Sequence, residues 1–160
     1  MKYIPTQNKR PAIILSAICL LIALILVGLS ALWGDFLTKA LIILSILPLL
    51  ASLYIISRYA SYNYIYEITD QEFIVSRINT SAQKTVCRLN FHHILSIQKQ
   101  TKSSNKNMGK AYNYCASILC KDAYIICYEI DGEYGNVIIE ASEYFAKNLE
   151  KYIKNDIILN

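Results

Sequence analysis

The chain has 160 residues, of which 54% are hydrophobic and 18% charged, with a formal net charge of +4. Its mean hydropathy of +0.30 is high for a soluble protein, and its length leaves room for one domain of ordinary size. The small net charge, without basic and aromatic residues interleaved along one face, argues against nucleic acid as a partner.

Two uncharged runs occupy the N-terminal third of the chain: PAIILSAICLLIALILVGLSALW over residues 11–33 and ALIILSILPLLASLYIIS over residues 40–57. A helix rises about 1.5 Å per residue, so the first run spans roughly 34 Å, enough for a hydrocarbon core of about 30 Å. The second run, extended to residues 38–58, contains Pro48, which a membrane helix tolerates as a kink. The first run is too long for a cleaved signal peptide. We therefore predict a transmembrane hairpin within residues 1–59.

The charges flanking the two spans predict their orientation. Three basic residues precede the first span and Arg58 follows the second, whereas the loop between them holds one acid and one lysine. Because basic flanks stay on the cytoplasmic side, we expect a multi-pass protein of the cell membrane with both termini in the cytoplasm.

Residues 60–160 follow without a Gly-, Ser- or Pro-rich linker, so we expect one β-rich domain close to the lipid surface. Aromatic and β-branched runs between turn signals predict about seven strands, among them YNYIYEIT, EFIVSRIN, KTVCRLNF, AYNYCASIL, AYIICYEI and GNVIIEA. Asp131-Gly132 is a hairpin signal between the last two. In the strand predicted for AYNYCASIL, alternation places Tyr112, Tyr114 and Ala116 on one side, where the tyrosines supply packing and hydrogen bonds.

The hydrophobic period changes near residue 142. Phe145, Leu149, Tyr152 and Ile153 follow the spacing of one helix face, and Ser142 is a candidate N-cap. This pattern predicts a helix over about residues 142–154 that closes one end of a curled sheet or small barrel.

The order of these elements resembles the bacterial pleckstrin-homology-like (PH-like) domains that follow two membrane spans. The segments that carry the resemblance are YIYEITDQEFIV, RLNFHHILSIQ and VIIEASEYFAKNLEKYI. More narrowly, YNYCASIL followed by DAYIICYEIDGEYGNVIIEASEYF is similar to a family of small membrane proteins of Gram-positive bacteria. The resemblance implies an α+β membrane protein, a two-helix hairpin followed by a PH-like β-sandwich or barrel, and it assigns no activity to individual residues.

The residue types that carry catalysis or metal binding form no motif. Cys19 lies in the first span, and four cysteines lie in the β-rich part: Cys87, Cys115, Cys120 and Cys127. Their spacings lack the close pairs typical of zinc sites, and His92 and His93 on a strand would point to opposite faces. We predict no metal, no cofactor and no catalytic residue, with the cysteines as buried apolar side chains. Redox sensing stays open as an alternative. It requires a lowered thiol pKa, and a thiol pKa depends on surroundings that the sequence does not show.

Charge divides the β-rich part into a basic and an acidic segment. Arg77 to Lys121 contains eight basic residues and no acid, whereas Asp122 to Asn160 contains eight acids and three lysines. Four lysines in or beside the polar loop are candidate contacts for anionic lipid or a partner: Lys99, Lys102, Lys106 and Lys110. Each lysine near an anionic leaflet contributes about 1 kcal/mol; the alternative is that they are ordinary surface lysines.

These observations favour a non-enzymatic membrane protein that binds a protein partner, or lipid headgroups, through the β domain. An alternative is an accessory subunit of a larger membrane complex, with the hairpin packing against other helices or a second copy through its small residues. A lipid-sensing regulator or an enzyme is a more distant alternative.

Overall fold

The structure is a computed structural model that describes residues 1–6, 8–32, 35–79, 82–100 and 109–159, apart from the side chains of residues 35–36 and 155–159. The chain forms two compact units. One is helical and comprises Asn8–Tyr62, and the other is β-rich and comprises Met1–Gln7 together with Asn63–Asn160.

The helical unit consists of helix α1, Arg10–Ser30, and helix α2, Asp35–Ile55, which continues into a π-helical turn at Ile56–Ala60. By length and composition, Arg10–Ser30 and Leu37–Ala60 can each cross a membrane. Pro11 lies in the first turn of α1. Backbone N–H groups in a first turn have no acceptor within the helix, so the N–H that proline lacks costs no hydrogen bond. The two predicted apolar helices are confirmed, although α1 ends three residues earlier than predicted.

The burial of side chains in these two helices is the reverse of that in a soluble protein, where large apolar side chains are buried. Large apolar side chains such as Leu24 and Ile43 are more than 60% exposed. The buried positions are small residues: Ala12, Ser16, Ala23, Ser30, Ser45 and Ser52. Three of these serine hydroxyls, those of Ser16, Ser30 and Ser45, donate to the backbone carbonyl three residues earlier, as Ser45 does to Ile42 at 2.7 Å. Small residues at helix contacts and apolar residues outside are typical of helices that pack within lipid.

In the part of the β unit that the structure describes, eight strands form two four-stranded sheets. The first sheet has the order β1-β2-β3-β4, with β1 at Lys2–Tyr3, β2 at Asn63–Ile68, β3 at Glu72–Asn79 and β4 at Ala82–Asn90. A short 3₁₀ turn at Phe91–His93 leads into the second sheet. That sheet has the order β5-β7-β8-β6, with β5 at Ile94–Lys99, β6 at Lys110–Asn113, β7 at Ala123–Ile130 and β8 at Glu133–Glu140.

Strand β1 is an addition to the predicted fold. Lys2 and Tyr3 pair antiparallel with Glu67 and Tyr66, and the Lys2 ammonium lies 3.1 Å from the Glu67 carboxylate. The sequence pattern alone places these residues in the membrane part of the chain, within residues 1–59. The structure instead places Met1–Gln7 with the β unit.

The strand predicted over AYNYCASIL is wrong beyond Asn113. Strand β6 ends there, and it runs parallel to β8. The side-chain oxygen of Asn113 accepts the backbone N–H of Cys115 at 2.8 Å, a local bond typical of an Asx turn, which competes with continued strand pairing. Tyr114 to Ser117 therefore lie in a bend, so Tyr112, Tyr114 and Ala116 do not share one strand face.

The closing helix α3, Glu143–Leu159, confirms the predicted amphipathic element and extends five residues further. Ser142 caps it, because its hydroxyl accepts the backbone N–H of Phe145 at 3.2 Å. The largest fully buried side chains of the unit come from both sheets, the 3₁₀ turn and this helix: Tyr66, Phe73, Phe91, Ile126, Ile139, Phe145 and Leu149. Two apolar helices, a two-sheet β domain and a closing helix thus confirm the predicted fold class.

Candidate functional site

Of the four lysines predicted to contact lipid or a partner, the structure describes two. Lys99 ends β5, and its ammonium lies 3.2 Å from the exposed Asp122 carboxylate. This hydrogen bond raises the pKa of Lys99. Lys110 begins β6 and is exposed. Lys102 and Lys106 lie outside the described residues.

Lys99 and Lys110 do not belong to one compact patch. They lie on β5 and β6, the two edge strands of the second sheet, with β7 and β8 between them. Strands are about 4.8 Å apart, so the sheet separates their backbones by roughly 14 Å across the strands. The contact with anionic lipid stays a prediction.

Lys110 instead belongs to a groove at the end of the second sheet. The cavity has a volume of about 490 Å³ and is lined by Lys110, Tyr112, Tyr128, Ile130, Asp131, Glu133 and Tyr134. We call it the tyrosine groove. The strand register brings its residues together. Gly135 on β8 lies between Lys110 on β6 and Tyr128 on β7 and is paired with both.

The hairpin between β7 and β8 fixes one wall of the groove. Asp131 and Gly132 have φ values of 53° and 79°, the left-handed conformation that both central residues of a type I′ turn require. The predicted Asp-Gly hairpin signal is therefore confirmed. The turn sets Ile130 opposite Glu133 and brings the acidic residues Asp131 and Glu133 into the lining of the groove.

Two glycines allow the groove to form. A Cβ on Gly135 would lie 2.3 Å from the Tyr128 ring, so the ring rests where any side chain at Gly135 would be. A Cβ on Gly109 would lie 1.7 Å from the Tyr134 carbonyl oxygen. Glycine permits such close approach of backbone and ring, so these positions define the depth of the groove and the start of β6.

The groove presents aromatic faces beside negative charge. The Lys110 ammonium lies 5.2 Å from the Tyr112 ring centroid, within the range of a cation–π contact. Tyr112 and Tyr134 are 37% and 48% exposed, and burial, followed by nearby ionisable groups including Glu133, raises the pKa of Tyr128. Two carboxylates and one ammonium leave the lining with an excess negative charge. Neutral rings beside carboxylates suit a cationic group on an extended ligand.

Sequence reasoning found one residue of this groove, Lys110, and missed the rest. The sequence predicted packing and hydrogen bonding for Tyr112, and for Asp131 only a place in a hairpin turn. The available signal was the segment YEIDGEYG, in which tyrosines flank a tight turn and a glycine that leaves room for a ring.

Comparison with known proteins decides the family. A family model described as a bacterial PH-like domain (DUF6106) matches residues 3–159. The chain belongs to this family. No curated protein and no solved structure matches it significantly. The matched residues include Tyr3 of β1, both apolar helices and α3, so the PH-like family model covers the helices as well as the β unit.

A second polar cluster of this PH-like domain lies where β8 ends. The Tyr66 hydroxyl donates to the Tyr114 carbonyl at 2.8 Å and accepts the Glu140 backbone N–H at 3.3 Å. The Glu140 carboxylate accepts both the backbone N–H and the hydroxyl of Ser117, each at 2.8 Å. Burial raises the pKa of Tyr66 far above its ordinary value, so this hydroxyl stays protonated. These bonds anchor the bend after β6. The Tyr114 hydroxyl itself donates to the Val86 carbonyl at 3.1 Å, which confirms that this tyrosine supplies a hydrogen bond.

Metal-binding chemistry has no support in the part of the chain that the structure describes. Within it, no group of three or more His, Cys, Asp and Glu side chains could hold a metal ion. The His92 and His93 rings lie against each other, with centroids 4.0 Å apart, in the 3₁₀ turn rather than on the strand where the sequence analysis considered them.

Proposed function

We propose that this PH-like protein is a membrane-anchored, non-enzymatic binding protein that captures an extended segment of a protein partner in the tyrosine groove. Family membership supports a binding or scaffold role in general. The observation that carries the specific proposal is the groove itself, where three tyrosines and two carboxylates meet beside an edge strand.

An extended peptide fits this site for two reasons. Strand β6 is the last strand of its sheet, and among the described residues only β8 pairs with it. A peptide that adds beside such an edge gains main-chain hydrogen bonds, and its alternate side chains enter adjacent pockets. A lysine or arginine on that peptide would lie between the tyrosine faces and the Asp131 and Glu133 carboxylates.

The apolar helices provide the anchor in this proposal. Both are long and apolar enough to cross a membrane, and the basic flanks favour cytoplasmic termini. A C-terminal tag should therefore resist protease added to intact cells and be digested once the cells are opened. Digestion in intact cells would overturn the cytoplasmic placement.

A displayed library of random seven-residue peptides tests the groove, with the full chain purified in mild detergent as bait. We expect enrichment of peptides with a basic residue, and about tenfold weaker binding to Asp131→Asn/Glu133→Gln, equivalent to about 1.4 kcal/mol. The control Glu143→Gln/Glu150→Gln makes the same charge change on α3 and should bind within twofold of wild type. Absence of enrichment, or equal weakening by both double variants, would overturn the proposal.

A second candidate role, as a subunit of a larger membrane complex, has support from α1. Gly28 is exposed, and a Cβ built there meets no atom within 4 Å, so another helix can approach closely at this point. Gly28→Leu should lower the yield of a defined complex in chemical crosslinking of intact membranes. The exposed exchange Val27→Leu provides the control, and equal yields for both variants would exclude this surface.

A further inference from the structure

Two cysteine side chains meet at the bend that follows β6. The Cys120 thiol donates to the Cys115 sulfur, and the two sulfurs lie 2.6 Å apart. Both are free thiols in the structure. We propose that Cys115 and Cys120 are a redox-modification site, which a low-molecular-weight disulfide of the glutathione type converts reversibly into an intrachain disulfide. This proposal is independent of the tyrosine groove and of its ligand.

The backbone around this pair is held in place before any bond forms. The Tyr114 N–H donates to the Ile138 carbonyl at 2.8 Å, and Ser117 bonds the Glu140 carboxylate through two groups. On the other side of Cys120, the Asp122 carbonyl accepts the Ala141 N–H at 3.1 Å. Three anchors along the end of β8 thus fix both flanks of the segment. Such preorganisation raises the effective concentration of one thiol at the other.

The two sulfurs differ in their access to solvent. Cys115 is 2% exposed, whereas Cys120 is half-buried and follows Leu119, which is 61% exposed. A dissolved disulfide therefore meets Cys120 first, and Cys115 reacts only within the chain. A buried partner thiol limits the attack of a second external molecule and favours ring closure over double modification.

The exchange proceeds in two balanced steps. The Cys120 thiol loses its proton to water, and its sulfur attacks one sulfur of glutathione disulfide. One glutathione thiolate leaves and takes up a proton. The Cys115 sulfur then loses its proton and displaces the second glutathione from Cys120. Two protein thiols have lost two electrons, and one glutathione disulfide has been reduced to two glutathione thiols.

The surroundings of Cys120 predict how the rate depends on pH. Its hydrogen bond to Cys115, its burial and the nearby Glu140 and Asp122 carboxylates all raise its pKa. Because the thiolate is the nucleophile, the first step is slow at neutral pH and accelerates about tenfold per unit until the thiol titrates. Rapid redox sensing requires a lowered thiol pKa, which Cys120 lacks, so this dithiol suits a slow response to a sustained oxidative change rather than to a brief peroxide pulse.

The sequence offers a direct readout. Trypsin cuts after Lys110 and Lys121, so both cysteines lie in one peptide, AYNYCASILCK, while Cys87 and Cys127 lie in other peptides. Full-length protein in mild detergent is equilibrated with glutathione buffers of rising disulfide fraction, alkylated and digested. We expect this peptide to lose both alkylation sites together, 2 Da lighter than the dithiol, while Cys87 and Cys127 remain alkylated.

Two variants separate the roles of the sulfurs. Cys115→Ser should stop after the first step and accumulate a glutathione adduct on Cys120, whereas Cys120→Ser should leave Cys115 largely unmodified. The wild-type measurement stands without them if either variant fails to fold. The proposal is overturned if glutathione disulfide alone leaves the peptide fully alkylatable, or if Cys87 and Cys127 are modified as readily as the pair.

Discussion

Gly109 lies so close to the Tyr134 carbonyl that a methyl group on Gly109 would be 1.7 Å from the oxygen. The obstacle is backbone rather than a movable side chain, and Gly109 also has a φ of +78°. The start of β6 and the outer part of β8 therefore pack with no space between them. This contact positions Lys110 and Tyr112 beside the β7–β8 hairpin.

Gly109→Ala should lower the free energy of unfolding more than Gly132→Ala does, although the two glycines have nearly the same φ, +78° and +79°. A Cβ on Gly132 meets nothing within 4 Å, so its substitution carries only the left-handed backbone penalty, about 1 kcal/mol. Gly109→Ala adds a backbone collision, and we expect a loss above about 3 kcal/mol. Chemical unfolding of the full chain in mild detergent, followed by near-UV circular dichroism, measures both. Equal losses for the two variants would contradict this prediction, since they would show that the backbone shifts to accommodate the methyl group at position 109 without a further loss of stability.

The contacts of Tyr3 predict that the N-terminal strand stabilises the β unit. The Tyr3 ring centroid lies 4.9 Å from that of Phe145 and 6.2 Å from that of Tyr66. Tyr3→Ala should lower the free energy of unfolding by about 2 kcal/mol, since it removes a partly buried ring from an aromatic cluster. Tyr144→Ala, at a site 72% exposed on α3, is the control and should change it by less than about 0.5 kcal/mol. A Tyr3→Ala protein as stable as this control would contradict the role of β1.

The sequence pattern predicted local elements well and long-range pairings poorly. The Asp131-Gly132 hairpin and the Ser142-capped helix carry their signals within a few residues. Strand β1 has only two residues, and its partners Tyr66 and Glu67 are more than sixty positions away, so no local pattern marks it. Strand β6 pairs parallel with β8, although β7 separates the two strands in the sequence. A parallel pair has no hairpin turn from which it could be predicted. The tyrosine groove depends on that pairing and was therefore missed.

The Cys87 thiol predicts a loss of stability at alkaline pH. Burial raises its pKa from an ordinary value near 9 to about 11, so the folded state keeps a proton that the unfolded state releases between these values. The stabilisation is complete below about pH 9 and is lost as the pH rises through 11. Wild type should therefore lose stability more steeply than Cys87→Ala over pH 9–11. Because tyrosines titrate in both proteins, the difference between the two unfolding profiles is the measurement, and parallel profiles would exclude the effect.

The predicted contact of the four lysines with anionic lipid requires a test that separates their contributions. Lys99 is already paired with Asp122 and Lys110 lies over Tyr112, so each must exchange an existing contact for a lipid phosphate. We expect residues 99–110 of the full chain to exchange backbone hydrogens more slowly in nanodiscs that contain the anionic lipid phosphatidylglycerol than in neutral nanodiscs, because an anionic surface attracts lysines. About 0.5 M salt should abolish the difference, because the screening length falls to a few ångströms.

Substitution of all four lysines by glutamine should remove this protection, whereas Lys147→Gln/Lys151→Gln/Lys154→Gln on α3 should preserve it. Lys110→Gln alone separates lipid from groove binding: it should leave most of the lipid-dependent protection and alter peptide binding at the tyrosine groove. Each lysine near an anionic surface contributes about 1 kcal/mol, so loss of Lys110 removes at most about a quarter of the total. Identical exchange in neutral and anionic nanodiscs would leave the basic segment as an ordinary solvated surface.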